Sequence, residues 1–224
     1  MSRFLQNLVG PRVPVDELRR RPVRYALPTV MLAAARVLLL VSIFLPYWHM
    51  ELDAPQYPDG LYITAYVNRL EGDVKEIDAL NHYIGMRPLD QAAAFERAAS
   101  VWMIVAMVLL VEGATFIHTR WAAVLVLPAV LFPAGFLLDL QFWLRTFGQN
   151  LDPEAPLSAA VKPFTPTLLG EGGIGQFHTY SEVGWGFWAA VACSVLTVVA
   201  LVFHRNAYKP LLERARREAG GEAA

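Results

Sequence analysis

The chain has 224 residues, of which 55% are hydrophobic and 17% are charged, with a formal net charge of −1. The mean hydropathy is +0.37. A soluble domain of this length seldom carries so much apolar surface. The basic residues accompany no nucleic-acid-binding motif, so we predict no nucleic-acid partner. A single cysteine excludes an intramolecular disulfide.

Four apolar segments are long enough to cross a bilayer, which takes about 20 residues. They are 26–48, 98–117, 121–143 and 183–203, and each contains at most one charged residue. The first is longer than the roughly 7–15 apolar residues of a signal peptide and lacks an A-x-A-like cleavage site. We therefore expect it to be retained, and we predict a multi-pass membrane protein.

The basic residues predict how these segments are oriented. Arginine and lysine are concentrated in the tail 1–25, the short turn 118–120 and the tail 204–224, whereas the loops 49–97 and 144–182 are more acidic. Basic residues near helix ends stay in the cytoplasm. We therefore predict cytoplasmic N and C termini, two outer loops, and a location in the bacterial inner membrane with the lipid bilayer as a partner.

The outer loops contain patterns that are typical of ordered structure. LYITAYVNRL (61–70) alternates apolar and polar residues, which predicts a strand. DVKEIDALNHYIGM (73–86) has helical apolar spacing, with Asp73 and Glu76 spaced as a capping box and Gly85 at its end. The predicted fold class is an all-α membrane bundle of four transmembrane helices, with a small mixed α/β extracytoplasmic cap formed by both outer loops.

The outer loops also carry side chains suited to copper, since imidazole and thioether groups bind this metal. The candidates are His49, Met50, His82, Met86 and His178. His82 and Met86 are four residues apart and would share one helix face. In the alternative interpretation Met86 packs under the cap, His82 bonds Asp53 or Asp90, and no metal binds. Asp53 is a further possible ligand, although a turn or cap role is favoured.

Three ionisable residues lie inside the predicted membrane segments, where charges are rare and usually paired. Arg36 and Glu112 lie at comparable depth and are predicted to form an ion pair that fixes helix register, in preference to an ion path. Asp139 lies near the outer end of its segment and can reach interfacial water. Beyond it, Asn150 is predicted to take part in an Asx-type turn before Pro153.

Three motifs resemble those of a family of small four-helix bacterial membrane proteins. They are DAPQYPDG after the first segment, GDVKEIDALNHYIGM, and FGQNLDP after the third segment. Genes of this family are often found near those of nitrous oxide reductase and its copper-delivery proteins. The resemblance covers nearly the whole chain and implies a role in assembling or supplying an extracytoplasmic copper enzyme, with copper as the metal bound or transferred.

The sequence contains no G-x-S-x-G, H-E-x-x-H or C-x-x-C-H motif and no nucleotide-binding pattern. We therefore predict a non-enzymatic protein that binds no nucleotide and has an extracytoplasmic or membrane protein partner. Three hypotheses remain open. The protein is an accessory factor that binds or transfers copper, a structural or docking subunit that binds no metal, or, less favoured, a small transporter subunit.

Overall fold

A computed structural model describes residues 9–11, 13–157, 159–174 and 177–221. Its α-helices, in chain order, are α1 (Val15–Arg20), α2 (Pro22–Ser42), α3 (Val74–Ile84), α4 (Ala94–Phe116), α5 (Trp121–Gln149) and α6 (Trp185–Gly221). A single 3₁₀ turn among these residues, Leu89–Gln91, precedes α4.

Four helices are long and apolar enough to cross a membrane, which confirms that part of the prediction. They are Pro22–Ser42, Ala94–Phe116, Trp121–Gln149 and Trp185–Ala215. The first helix differs from the predicted segment 26–48, because it begins four residues earlier and ends at Ser42, while Trp48 already belongs to a strand. Pro46 interrupts the apolar run after Ser42, and a proline lacks the N–H that would continue a helix.

The predicted all-α class is wrong, because the chain also forms a five-stranded antiparallel sheet. Its strands are β1 (Trp48–Ala54), β2 (Tyr57–Ala65), β3 (Leu70–Gly72), β4 (Gly170–Ile174) and β5 (Phe177–Val183), in the order β3-β2-β1-β5-β4. Segments on both sides of α4 and α5 thus build one sheet, with β1 pairing with β5 over Trp48–Asp53 and His178–Val183.

The sheet has two faces of opposite character, because successive side chains of a strand point to opposite sides. On one side, Leu52, Leu61 and Ile63 are buried and pack with Ile77 of α3 in a hydrophobic core. We call this side the cavity face, because it lines an apolar cavity that is described below. The opposite side carries charged, hydroxyl and imidazole groups and is described below as a candidate site.

Helix α3 begins and ends near the predicted residues, but its N-terminal capping box does not form. The Asp73 side chain makes no capping bond; its Oδ2 accepts the backbone N–H of Tyr62 at 2.8 Å and so ties the helix to β2. At the other end Gly85 adopts φ +80, and its N–H bonds carbonyls of the last turn. The left-handed C-terminal glycine of the prediction is therefore confirmed.

The described residues fall into two compact units. The sheet unit takes Val41–Met103 and Pro133–Ala189, and the helical unit takes the described residues of Met1–Leu40, Ile104–Phe132 and Ala190–Ala224. In the helical unit, the His118 ring stacks on Tyr208 with centroids 3.8 Å apart, and its Nδ1 lies 3.2 Å from His204 Nε2. Burial and the nearby His204 lower the pKa of His118 to about 4.

Candidate functional site

The face of the sheet opposite the cavity face is polar and rich in carboxylates, and we call it the acidic face. Each of its residues alternates along a strand with a residue of the cavity face. It consists of His49, Glu51, Asp53, Tyr62, Thr64, Glu71, Glu171, His178, Tyr180 and Glu182.

Glu51 lies at the centre of the acidic face, with a tyrosine on each side. The strand register places Glu51 opposite Tyr62 on β2 and opposite Tyr180 on β5. The Tyr62 hydroxyl donates to Glu51 Oε1 at 2.8 Å. Both rings remain accessible, because Tyr62 is 49% exposed and Tyr180 is 48% exposed. The two rings therefore flank a fixed carboxylate on an open surface.

The electrostatic character of this face follows from the composition of its strands. The five described strands contain neither lysine nor arginine. At the margin of the face, Arg69 Nε binds Glu71 Oε1 at 2.6 Å, which lowers the pKa of Glu71. The hydrogen bond to Glu51, together with burial and the charges of Glu51, Asp53 and Asp59, raises the pKa of Tyr62. The central acidic face is therefore negatively charged.

Three predicted site residues belong to this face. His49 Nδ1 lies 3.1 Å from Thr64 Oγ1 and pairs across the strands with Glu182. His178 is exposed and lies opposite Asp53 in the register of β1 and β5. Asp53 is thus part of a strand next to a bulge, and the favoured turn or cap role is wrong.

The other predicted copper ligands lie elsewhere in the sheet unit. Met50, one residue from His49, points to the opposite side of β1 and packs on the hydrophobic core. Met86 is half-buried, and both thioethers line one apolar cavity. His82 is exposed on α3, with its ring centroid 6.2 Å from that of Tyr83. The five residues are therefore divided among the acidic face, the cavity and the surface of α3.

This division does not fit a single ion held by all five side chains. Across the described part of the chain, no group of three or more His, Cys, Asp or Glu side chains is arranged to hold a metal ion. His49 and His178 share the acidic face, Met50 and Met86 share the cavity, and His82 lies apart from both pairs.

The predicted polar residues of the helices occupy three separate environments. Arg36 Nη1 pairs with Glu112 Oε2 in the helical unit, and the exposed fractions of the two side chains are 17% and 46%. Asp139 is half-buried on α5, one turn before Trp143. Asn150 follows α5 and its Nδ2 donates to the Thr146 carbonyl at 2.7 Å. None of these residues extends the acidic face.

Sequence reasoning missed the residues that give the acidic face its character. The signal was the period-two alternation of HMELD, in which every second residue is polar and would lie on one side of a strand. HTYSE gave no such signal, because all five of its residues are polar. We assigned both stretches to the outer loops 49–97 and 144–182 and not to strands. Tyr180 and Glu182 were therefore overlooked, and Tyr62 lay in the predicted strand LYITAYVNRL without being identified as a site residue.

No family model matches the chain, and no curated protein matches it.

Proposed function

We propose that this protein is a non-enzymatic, membrane-anchored accessory subunit that docks an extracytoplasmic protein on the acidic face. The observation that carries the proposal is the placement of Tyr62 and Tyr180 on either side of Glu51 on an open, negatively charged sheet. Tyrosine is enriched at protein interfaces, because its rigid ring covers much area and its hydroxyl still bonds.

The partner that fits this surface is a protein with a basic patch. Glu51, Asp53 and Glu182 present their charges from strands that hold no cation of their own. Opposite charge on the partner would steer association and fix orientation, since electrostatic complementarity contributes to specificity and to the association rate. An anionic lipid surface would be repelled by the same charges.

The membrane helices support an anchoring role. The apolar segments 26–48, 98–117, 121–143 and 183–203 each hold at most one charged residue, and Arg36 and Glu112 neutralise each other within the helical unit. A paired charge of this kind fixes helix register, whereas a transport path would need a continuous polar stripe. The basic tails, which we assign to the cytoplasm, leave the sheet on the opposite side of the membrane.

Site-specific photocrosslinking in intact cells tests the proposal. A benzophenone amino acid replaces Tyr180 on the acidic face, and the matched control replaces Tyr83, which is 54% exposed on α3 of the same unit. We expect a discrete crosslinked protein from position 180 and none from position 83. Mass spectrometry of the product identifies the partner, whose crosslinking should weaken at high salt.

Charge reversal makes the test specific for the acidic face. The double variant Glu51→Lys/Glu182→Lys should suppress crosslinking at position 180, whereas Glu76→Lys on the exposed side of α3 should not. Equal crosslinking from positions 180 and 83, or crosslinking that persists after charge reversal, would exclude docking through this face.

A copper-accessory role, which the family resemblance implies, is the second candidate function. It is favoured by the location of Met50 and Met86 on one cavity, because thioethers are ligands for Cu(I). The purified protein, loaded with Cu(I) under reducing conditions, should then retain copper by elemental analysis and lose it in Met50→Leu/Met86→Leu. A wild type that retains no copper would exclude this candidate.

A further inference from the structure

The sheet unit contains a partly enclosed cavity of about 130 Å³. It lies between the cavity face of the sheet, α3 and the C-terminal turns of α5. Its walls are almost entirely apolar, and among the described residues no charged side chain or histidine lines it. The walls include Trp48, Leu52, Ile63, Leu140, Phe147 and Phe164.

Three polar side chains, Asn81, Trp143 and Thr179, interrupt this apolar lining. Asn81 occupies the buried stripe of α3 between Ile77 and Ile84, and it lines the cavity with only 7% of its surface exposed. Within the part of the chain that the structure describes, its Nδ2 is buried and has no hydrogen-bond partner. A buried unsatisfied donor lowers stability, whereas a leucine of similar size at this position would not. The amide is therefore suited to a molecule that enters the cavity.

We propose that the cavity binds a neutral, mostly apolar small molecule that carries one hydrogen-bond acceptor. The apolar body packs on the cavity walls, and Asn81 Nδ2 donates to the acceptor. Neutrality follows from the uncharged lining, since a charged organic group would find no opposite charge in such a site. This pattern of many apolar contacts with one or two polar ones is typical of small-molecule pockets.

The volume limits the size of the ligand. An engineered apolar cavity of about 150 Å³ stays dry and binds benzene. At about 130 Å³, this cavity accepts a body of the size of one six-membered ring.

The inference is independent of the docking proposal, because Asn81 and the acidic face lie on different sides of the sheet.

The test of the inference uses two probes of nearly equal shape, acetophenone and α-methylstyrene, of which only acetophenone has a carbonyl acceptor. Binding to the full chain in lipid nanodiscs is followed by ligand-observed NMR, with empty nanodiscs correcting for partition into the bilayer.

We expect saturable binding of acetophenone to the wild type, at least about tenfold tighter than that of α-methylstyrene. Asn81→Leu should remove this preference while α-methylstyrene still binds. Ala92→Phe fills the cavity from a partly exposed lining position and should abolish binding of both probes. If Ala92→Phe fails to fold, Ala65→Leu fills the cavity from the sheet instead.

The proposal is overturned if the wild type shows no saturable binding of either probe. It is also overturned if acetophenone binds Asn81→Leu as tightly as it binds the wild type, because the amide would then have no role in recognition. Both probes are measured without metal. The outcome of the copper test with Met50→Leu/Met86→Leu therefore has no bearing on this proposal.

Discussion

Gly85 ends helix α3 at the point where it meets the segment after α5, and replacing it should destabilise the sheet unit strongly. Its φ of +80 is unfavourable for any residue with a Cβ atom. A Cβ added there would lie 2.6 Å from Asp152 O and 2.8 Å from Asp152 N. The Asp152 backbone is itself held in place, because its N–H donates to the Gly85 carbonyl at 2.8 Å.

These two effects give the expected magnitude for Gly85→Ala. The left-handed conformation costs about 1–2 kcal/mol, and forcing an extra carbon against fixed backbone costs about 1–3 kcal/mol. We therefore expect the free energy of unfolding to fall by about 2–5 kcal/mol. The measurement is equilibrium unfolding of the purified protein in mixed micelles.

Two other glycines of the chain separate the two effects. Gly170 has φ +84, but nothing lies within 4 Å of its added Cβ, so Gly170→Ala should cost only about 1–2 kcal/mol. Gly135 lies inside α5, also with nothing within 4 Å, so Gly135→Ala should be neutral or stabilise by up to about 1 kcal/mol. Equal stability of Gly85→Ala and Gly135→Ala would refute the argument, because neither strain nor contact would then be present at Gly85.

Three further predictions concern the helical unit and the topology. Arg36→Leu should lower the free energy of unfolding by up to about 3 kcal/mol, and adding Glu112→Leu should recover at least half of the loss; strictly additive losses would mean that the two residues are not partners. Because the folded pKa of His118 is about 4 and its ordinary value is 6.5, the unfolded chain binds the proton more tightly. The contribution of His118 to stability should therefore be constant above about pH 6.5 and fall as pH is lowered toward 4, and His118→Gln should reduce the slope of pH-dependent thermal unfolding in this range. An impermeant thiol reagent on intact Cys193→Ala cells should label Asp59→Cys but not Ala215→Cys, and the reverse pattern would invert the topology.

The membrane helices could be predicted because length and hydropathy alone define them. The sheet was harder, because it joins strands from two distant parts of the chain and each strand is short. In β1 the alternation of WHMELDA followed directly on an apolar run of the sequence, so Trp48 was assigned to the membrane segment. In β4 the glycines of GEGGI hid the strand, since glycine supplies no side chain that could show the alternation.

The candidate site shows the same limit in its side chains. Spacing placed His82 and Met86 on one face of a helix, but Gly85 ends the helix before Met86. Met86 then turns toward the cavity while His82 stays exposed. Pairing between distant strands set the surroundings of the other candidates, including His49, and no local pattern of the sequence specifies such pairing. Asn81 could have been found as a polar residue in the apolar stripe of α3.

The affinity of the purified partner for the acidic face tests the central claim most directly. The partner identified by crosslinking is titrated against the wild type, Glu51→Lys/Glu182→Lys, and the control Glu76→Lys. We predict that the double variant raises the dissociation constant at least about tenfold while the control changes it less than about twofold. Equal dissociation constants for the wild type and the double variant would contradict docking on the acidic face.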